Sequence, residues 1–271
     1  MEAMTTSISW VDAFTEQPFA GNPAAVCLPD APIPDEQMQA LAFELGISET
    51  AFISPTSIPN TFELRWFTPT VEVDLCGHAT LASAHVLREL RVVEGDTPVT
   101  FHTRSGPLLA SFELGRISLD FPTDPMTPTL LPEPLEGQWD AGVVVGSART
   151  DFYAVVVLSD EAAVRDYLPD LGAIAAVGSK ALLITAPAGA ASDADYVLRV
   201  FGPNVGIDED PATGSAQCSA GPYWAAALGK QALVAHQLSA RGAVLHVRPR
   251  GERVQIGGNA VMLFSGPLLL P

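Results

Sequence analysis

Three short runs place reactive side chains where their neighbours call for burial. SET (48–50) precedes the apolar Ala51-Phe52-Ile53, Gly77-His78 opens GHATLASAHVL (77–87), and Asp210 precedes PATGSAQCSAGPYWAAALG (211–229). Neither long run holds an Asp, Glu, Lys or Arg. A glutamate at the start of a buried strand needs either solvent or a purpose, and a desolvated carboxyl can both take a proton and give it back. A histidine at a helix start can donate to or accept from a substrate heteroatom. A second carboxylate near the first raises the proton affinity of the pair. Each has an ordinary rival reading. Glu49 could end a strand in water, His78 could bond a neighbouring carbonyl, and Asp210 before Pro211 reads as an N-cap with proline at the first helical position.

The elements that must hold these residues follow from periodicity. Residues 8–14 (ISWVDAF) and 62–67 (FELRWF) read as strands, the second with Phe62, Leu64 and Trp66 on one face. DEQMQALAFEL (35–45) spaces Met38, Leu41, Ala42 and Leu45 as a helix between Pro34 and Gly46. The runs 77–87 and 211–229 are small and apolar all round, so each is expected as a helix wrapped by its own sheet. Pro222 is expected to kink or end the second, and Cys218 to lie well inside it. The echo of Gly77-His78-Ala79-Thr80 in Asp210-Pro211-Ala212-Thr213, together with the shared burial pattern, suggests duplicated lobes. The proline-rich stretch 122–134 marks a boundary between them. Strands at 152–158, 181–185 and 196–201 belong to the second lobe.

Helix starts present unpaired N–H groups, so an acidic protein can still hold a carboxylate substrate without Lys or Arg. Gly77, Thr213, Gly214 and Ser215 are candidates for such a cradle, with Ser48 and Asn22, from the turn Gly21-Asn22-Pro23, as further substrate contacts. The chain has 271 residues, 48% of them hydrophobic, and carries 31 Asp+Glu against 14 Lys+Arg, a net charge of −17. That charge disfavours nucleic acid and anionic membrane surfaces as partners. No GxGxxG, P-loop, GxSxG or HExxH run occurs. His78 and His85 have no acidic or thiolate partner at ligand spacing, so no metal is expected, and no other cofactor. Cys27, Cys76 and Cys218 are too dispersed for a disulfide framework. Asp12 arrives before any apolar stretch long enough for an export signal, so a cytoplasmic protein is expected.

The runs VDAFTEQPFAGNPAAVCL (11–28), GISETAFI (46–53), LRWFTPTVEVDLCGHATLASAHVL (64–87) and FGPNVGIDEDPATGSA (201–216) stand in order over nearly the whole chain. In them the sequence resembles the PhzF family of phenazine-biosynthesis-like isomerases. The resemblance implies an α+β, diaminopimelate-epimerase-like fold: two similar lobes, each wrapping a β-sheet around a central apolar helix, with the active site in the cleft between them. The lobes are expected at 1–120, joined by a C-terminal strand at 260–271, and at 121–259. The family's catalytic glutamate, histidine and aspartate fall on Glu49, His78 and Asp210. The member that names the group isomerises trans-2,3-dihydro-3-hydroxyanthranilate without metal or organic cofactor, and a homodimer is implied. The run QCSAGPYWAAALG departs most from the pattern, which bears on the pocket's shape. The rivals are an amino-acid epimerase or racemase of the same fold, a thiol mechanism through Cys76 and Cys218, and a non-catalytic small-molecule-binding protein.

Overall fold

The computed structural model describes residues 6–113 and 115–269. The chain divides into two compact units, Met1–Asp120 with Gly257–Pro271, and Phe121–Ile256.

The first unit contains β1 (Ser7–Ala13), β2 (Asn22–Leu28), α1 (Asp35–Leu45), β3 (Glu49–Pro55), β4 (Thr61–Phe67), β5 (Glu72–Val73), α2 (Gly77–Glu89), β6 (Val99–Thr103), β7 (Gly106–Glu113) and most of β8 (Arg116–Pro122). Antiparallel β1 and β2 are followed by a parallel step to β3, an antiparallel step to β4, a parallel step to β6 and an antiparallel step to β7. The last strand of the chain, Ala260–Pro267, returns to this unit and pairs antiparallel with β1. Leu270 and Pro271, the end of the expected C-terminal strand, lie outside the described residues, as do residues 1–5 and 114.

Helix α1 fills the crossover between parallel β2 and β3. Met38 and Ala42 are its buried face, and Gly46 ends it in the left-handed region. Helix α2 fills the crossover between β4 and β6, and every residue from His78 to Leu87 is buried. Each buried Leu or Val in it contributes roughly 1.5–3 kcal/mol. Its small polar residues survive burial by bonding back into the helix. The Thr80 hydroxyl donates to the Cys76 carbonyl at 2.5 Å, and the Ser83 hydroxyl donates to Ala79 at 2.7 Å.

The second unit repeats the plan with β9 (Thr127–Pro128), β10 (Val144–Arg149), β11 (Tyr153–Leu158), α3 (Glu161–Arg165), α4 (Leu171–Ala176), β12 (Ala181–Pro187), β13 (Tyr196–Gly202), β14 (Ile207–Asp210), α5 (Gln217–Leu228), β15 (Leu233–Gln237), β16 (Ala243–Arg250) and most of β17 (Arg253–Gly258). The last strand is thus β18. From β10 to β16 the steps are again antiparallel, parallel, antiparallel, parallel, antiparallel. Helices α3 and α4 take the place of α1, α5 that of α2, and the short β14 that of β5. One core packs Val156, Leu158, Leu182, Ile184 and Phe201 against Val164 and Ile174 of α3 and α4. On α5, Trp224 donates its indole N–H to the Thr185 hydroxyl at 2.9 Å, and Gly221 lies so close to Val247 that an added Cβ would sit 2.5 Å from it.

Helix α5 departs from expectation in four ways. It starts at Gln217, six residues beyond Pro211, so Asp210 ends β14 and is not an N-cap. Cys218 consequently lies in its first turn rather than deep inside. Pro222 neither ends nor divides it. It is buried from Gln217 to Gly221 and again at Trp224, while Tyr223 and Leu228 are exposed. The Asp210 side chain, which as an N-cap would accept the Thr213 N–H, accepts the Thr213 hydroxyl instead, and that N–H is bonded to a side chain of β15. Among the described residues no helix is long and apolar enough to cross a membrane.

Candidate active-site residues

In the first unit, sheet register brings the candidate residues to one end of neighbouring strands. Asn22 opens β2 and Glu49 opens β3, and the parallel pairing sets Ala24 opposite Glu49. The turn before Asn22 depends on Gly21, at φ +63°, where a Cβ would lie 2.1 Å from the Ala13 carbonyl oxygen. Asp12, fully buried, holds the same loop by accepting the Phe19 N–H at 2.7 Å. Asn22 is buried, and Ser48 is half-buried just ahead of Glu49.

His78 stands in the first turn of α2, behind Cys76 and Gly77. Its Nε2 lies 3.2 Å from Glu49 Oε2, an ion-pairing distance between side chains only 8% and 13% exposed. The angles make no hydrogen bond, and neither atom has another partner. Its Nδ1 faces Cys76 Sγ at 3.5 Å. Burial works against charge on this imidazole, but acidic Cys76 and Glu49 outweigh it and hold His78 well above the ordinary histidine range. Burial, reinforced by the Glu49 charge, pushes the Cys76 thiol up, while His78 acts against that rise.

Sequence spacing alone gave His78 no acidic or thiolate partner, yet folding supplies both. The ligand-type atoms of Glu49, Cys76 and His78 lie within 4.8 Å of one another. The imidazole nevertheless turns one nitrogen to each neighbour.

In the second unit, Asp210 Oδ2 accepts the Thr213 hydroxyl at 2.6 Å. Thr213 is itself pinned: Gln237 Oε1 accepts its N–H at 2.7 Å, and Gln217 Nε2 donates to its carbonyl at 3.2 Å. The buried Tyr196 hydroxyl donates to Gln217 Oε1 at 2.5 Å. Gly214 is buried and Ser215 exposed, in the turn that leads into α5. Ser215 and the Tyr153 hydroxyl share a hydrogen bond of 2.7 Å. Burial, the largest influence on Tyr153, pushes its phenol well above the ordinary tyrosine range.

Thus Glu49, His78, Gly77, Ser48 and Asn22 belong to the first unit, and Asp210, Thr213, Gly214 and Ser215 to the second. Sequence reasoning missed Cys76 as a contact of His78, and Gln237, Gln217 and Tyr153 as supports. For Gln237 a signal existed. Leu233 and Ala235 are buried, and a period of two puts Gln237 on the same face.

A family model for phenazine biosynthesis-like proteins matches residues 11–266. The chain belongs to the phenazine biosynthesis-like family of isomerases. It is similar to an uncharacterized isomerase of Halalkalibacterium halodurans, 41% identical over 98% of this chain and 100% of the relative. A crystal structure of a PhzF-family phenazine biosynthesis protein from Enterococcus faecalis matches with a TM-score of 0.91 and 35% identity, over 98% of this chain and 100% of that one. A hydroxyproline epimerase from Agrobacterium vitis, at 10% identity, shares the fold with a TM-score of 0.64 over 97% of this chain and 92% of its own. The isomerase fold is α+β and diaminopimelate-epimerase-like, and the repeated strand order of its two units is the internal duplication expected of it.

Proposed function

We propose that the protein is a cofactor-independent isomerase that moves a proton between two carbons of a small carboxylate-bearing metabolite, with Glu49 as the proton shuttle. The reading is carried by the buried Glu49–His78 pair, whose facing atoms lie 3.2 Å apart without another partner. A carboxylate takes a proton as a substrate C–H bond breaks, and the electron pair passes into the adjoining unsaturated system. The same carboxyl then returns the proton to a second carbon. Imidazolium His78 offsets the negative charge that develops, and Asp210 supplies a second carboxylate to orient a polar group of the substrate. Asn22, Ser48, Gly77, Thr213, Gly214 and Ser215 contact the substrate, amides at the helix starts favouring its carboxylate. The protein acts in the cytoplasm as a homodimer, for which light scattering should give twice the 28.5 kDa chain mass.

The substrate resembles trans-2,3-dihydro-3-hydroxyanthranilate in bearing a carboxylate next to an unsaturated carbon framework. The test is a thermal-shift screen of small carboxylates, trans-2,3-dihydro-3-hydroxyanthranilate among them, followed by ¹H NMR of each hit in D₂O. A double-bond shift with a proton carried between two carbons supports the shuttle. Deuterium washing into one stereocentre, with no bond shift, would make the protein a two-base epimerase. The Cys76 thiol beside His78 is the observation that favours that second reading.

A further inference from the structure

The turn that carries Asp210 is fastened from a distance by one buried amide. Gln237, at the end of β15, is 1% exposed. Its Oε1 accepts the Thr213 N–H at 2.7 Å, while its Nε2 donates to the Asp210 carbonyl at 2.6 Å and to Thr213 Oγ1 at 3.0 Å. The orientation of this amide is fixed by its partners, because a backbone N–H requires an oxygen opposite it and a backbone carbonyl requires an N–H. The direction of the next bond is fixed in turn. Thr213 Oγ1 receives a proton from Gln237, so its own hydrogen is turned toward Asp210 Oδ2, 2.6 Å away.

We propose that Gln237 is a positioning residue for the reaction: it orients the Thr213 hydroxyl as an obligatory donor to Asp210 and so keeps that carboxyl an ionised acceptor. This inference rests on the reading of Asp210 as part of the reaction machinery, but it concerns a residue that contacts Asp210 and Thr213 rather than substrate. A neutral amide is suited to the task. It supplies an acceptor and two donors at once, which neither a carboxylate nor an ammonium group can do.

The test follows the Asp210 side-chain carbon directly. Protein labelled with ¹³C at aspartate Cγ is titrated, and the Asp210 resonance is assigned by its loss in Asp210→Asn. Thr213→Val removes the bond donated to the carboxyl, and Gln237→Met removes the group that orients it. A hydrogen bond to a charged group is worth about 1.5–3 kcal/mol, so the Thr213→Val midpoint should rise by about one pH unit or more, and that of Gln237→Met should rise in the same direction by no more than this. The double variant should rise no further than Thr213→Val, and Thr213→Ser should titrate as the parent does. The other titratable groups of this unit near the turn are common to all variants. They include the Tyr153 phenol and the Cys218 thiol, the latter pushed up to about 12 by burial, with Asp124 acting on both and Arg253 on the thiol, Asp208 on β14, and the Arg199–Glu209 pair on β13 and β14.

Should Gln237→Met not fold, Gln237→Asn keeps a neutral amide but withdraws it by one methylene from Thr213, and its midpoint should also rise. A folded Gln237 variant with the parent's midpoint overturns the proposal. So does an effect that adds to that of Thr213→Val, or one that Thr213→Val fails to reproduce. Because no substrate is needed, this result is independent of whether the proton-shuttle reading stands.

Discussion

The two units share one strand plan but equip it with different chemistry. Around the start of α2 the first unit gathers Glu49, Cys76 and His78, three titratable side chains packed within 4.8 Å, on a helix buried throughout its first eleven residues except at Gly77. Around the corresponding turn the second unit sets one carboxylate, Asp210, into a network of neutral groups: Thr213, Gln237, Gln217 and Tyr196. The contrast assigns different work to each. Coupled titratable groups can exchange protons, because moving a charge by one atom costs little when its partner adjusts. On the proposed reading, a carboxylate held by neutral donors serves to orient the substrate.

That division is broken or sharpened most directly by comparing Glu49→Gln with Asp210→Asn on any substrate found to be isomerised. Glutamine keeps the size of a protonated glutamate but cannot accept a proton. Glu49→Gln should therefore cost at least about 10⁴-fold in kcat, the upper end of one general acid/base group, with ligand binding nearly intact. Asp210→Asn and His78→Asn should cost less, since they alter orientation and charge rather than the transferred proton. Retention of turnover within a few-fold in Glu49→Gln would remove the shuttle from the first unit and make Cys76 the group to test.

The next effect concerns the tail. Strand β18 pairs with β1 from Ser7↔Pro267 to Ala13↔Ala260, so a chain ending at Asn259 leaves one side of β1 without backbone partners. Its loss of stability should exceed the roughly 3 kcal/mol reached by most point substitutions. An unchanged thermal midpoint would mean that the first unit closes without its last strand. Smaller again is the contrast between the helices. Ala82→Leu, at a fully buried site in α2, should cost about 1–3 kcal/mol by overpacking, whereas Ala226→Leu, on the exposed end of α5, should stay within about 0.5 kcal/mol. Equal costs in urea unfolding would show that α5 is as enclosed as α2.

Where local pattern decides an element, the sequence was sufficient. Strand β4 alternates as written, with Phe62, Leu64 and Trp66 buried and Glu63 exposed, and α1 runs from Pro34 to Gly46. The start of α5 was misread because Asp210-Pro211 imitates an N-terminal cap. Its backbone is instead held by Gln237, 24 residues from Thr213, a constraint with no local signature. The Glu49–His78 contact joins residues 29 apart on different elements, so periodicity could place each at an element start but could not make them neighbours. Cys76 was read as a small hydrophobe, and it is indeed buried. What escaped was the direction of its sulfur, since two residues spanning a helix start do not follow helical spacing.

The finest test uses the two histidines of α2, which should respond to pH in opposite senses. His78 is held above the ordinary range by Cys76 and Glu49 against the cost of burial, whereas burial holds His85 below it. A raised folded value contributes stability that is complete below the unfolded value of about 6.5 and is lost as pH rises through the folded value. The stability of the parent over His78→Gln should therefore be greatest near pH 5.5 and shrink toward alkaline pH. A depressed value acts the other way, so the parent should lose ground to His85→Gln as pH falls below about 6.5. Because the two windows meet near pH 6.5, the two contributions together should peak there, and each variant should lose one limb of that peak. Helix α5 carries no charged side chain or histidine between Gln217 and Leu228, and its Cys218, pushed up to about 12, acts only toward the alkaline end. Urea unfolding of the three proteins at pH 5.5, 7 and 8.5 measures the three profiles. Parallel profiles would show that the Glu49–His78 contact does not hold a charge, and the titratable character assigned to the first unit would then fall.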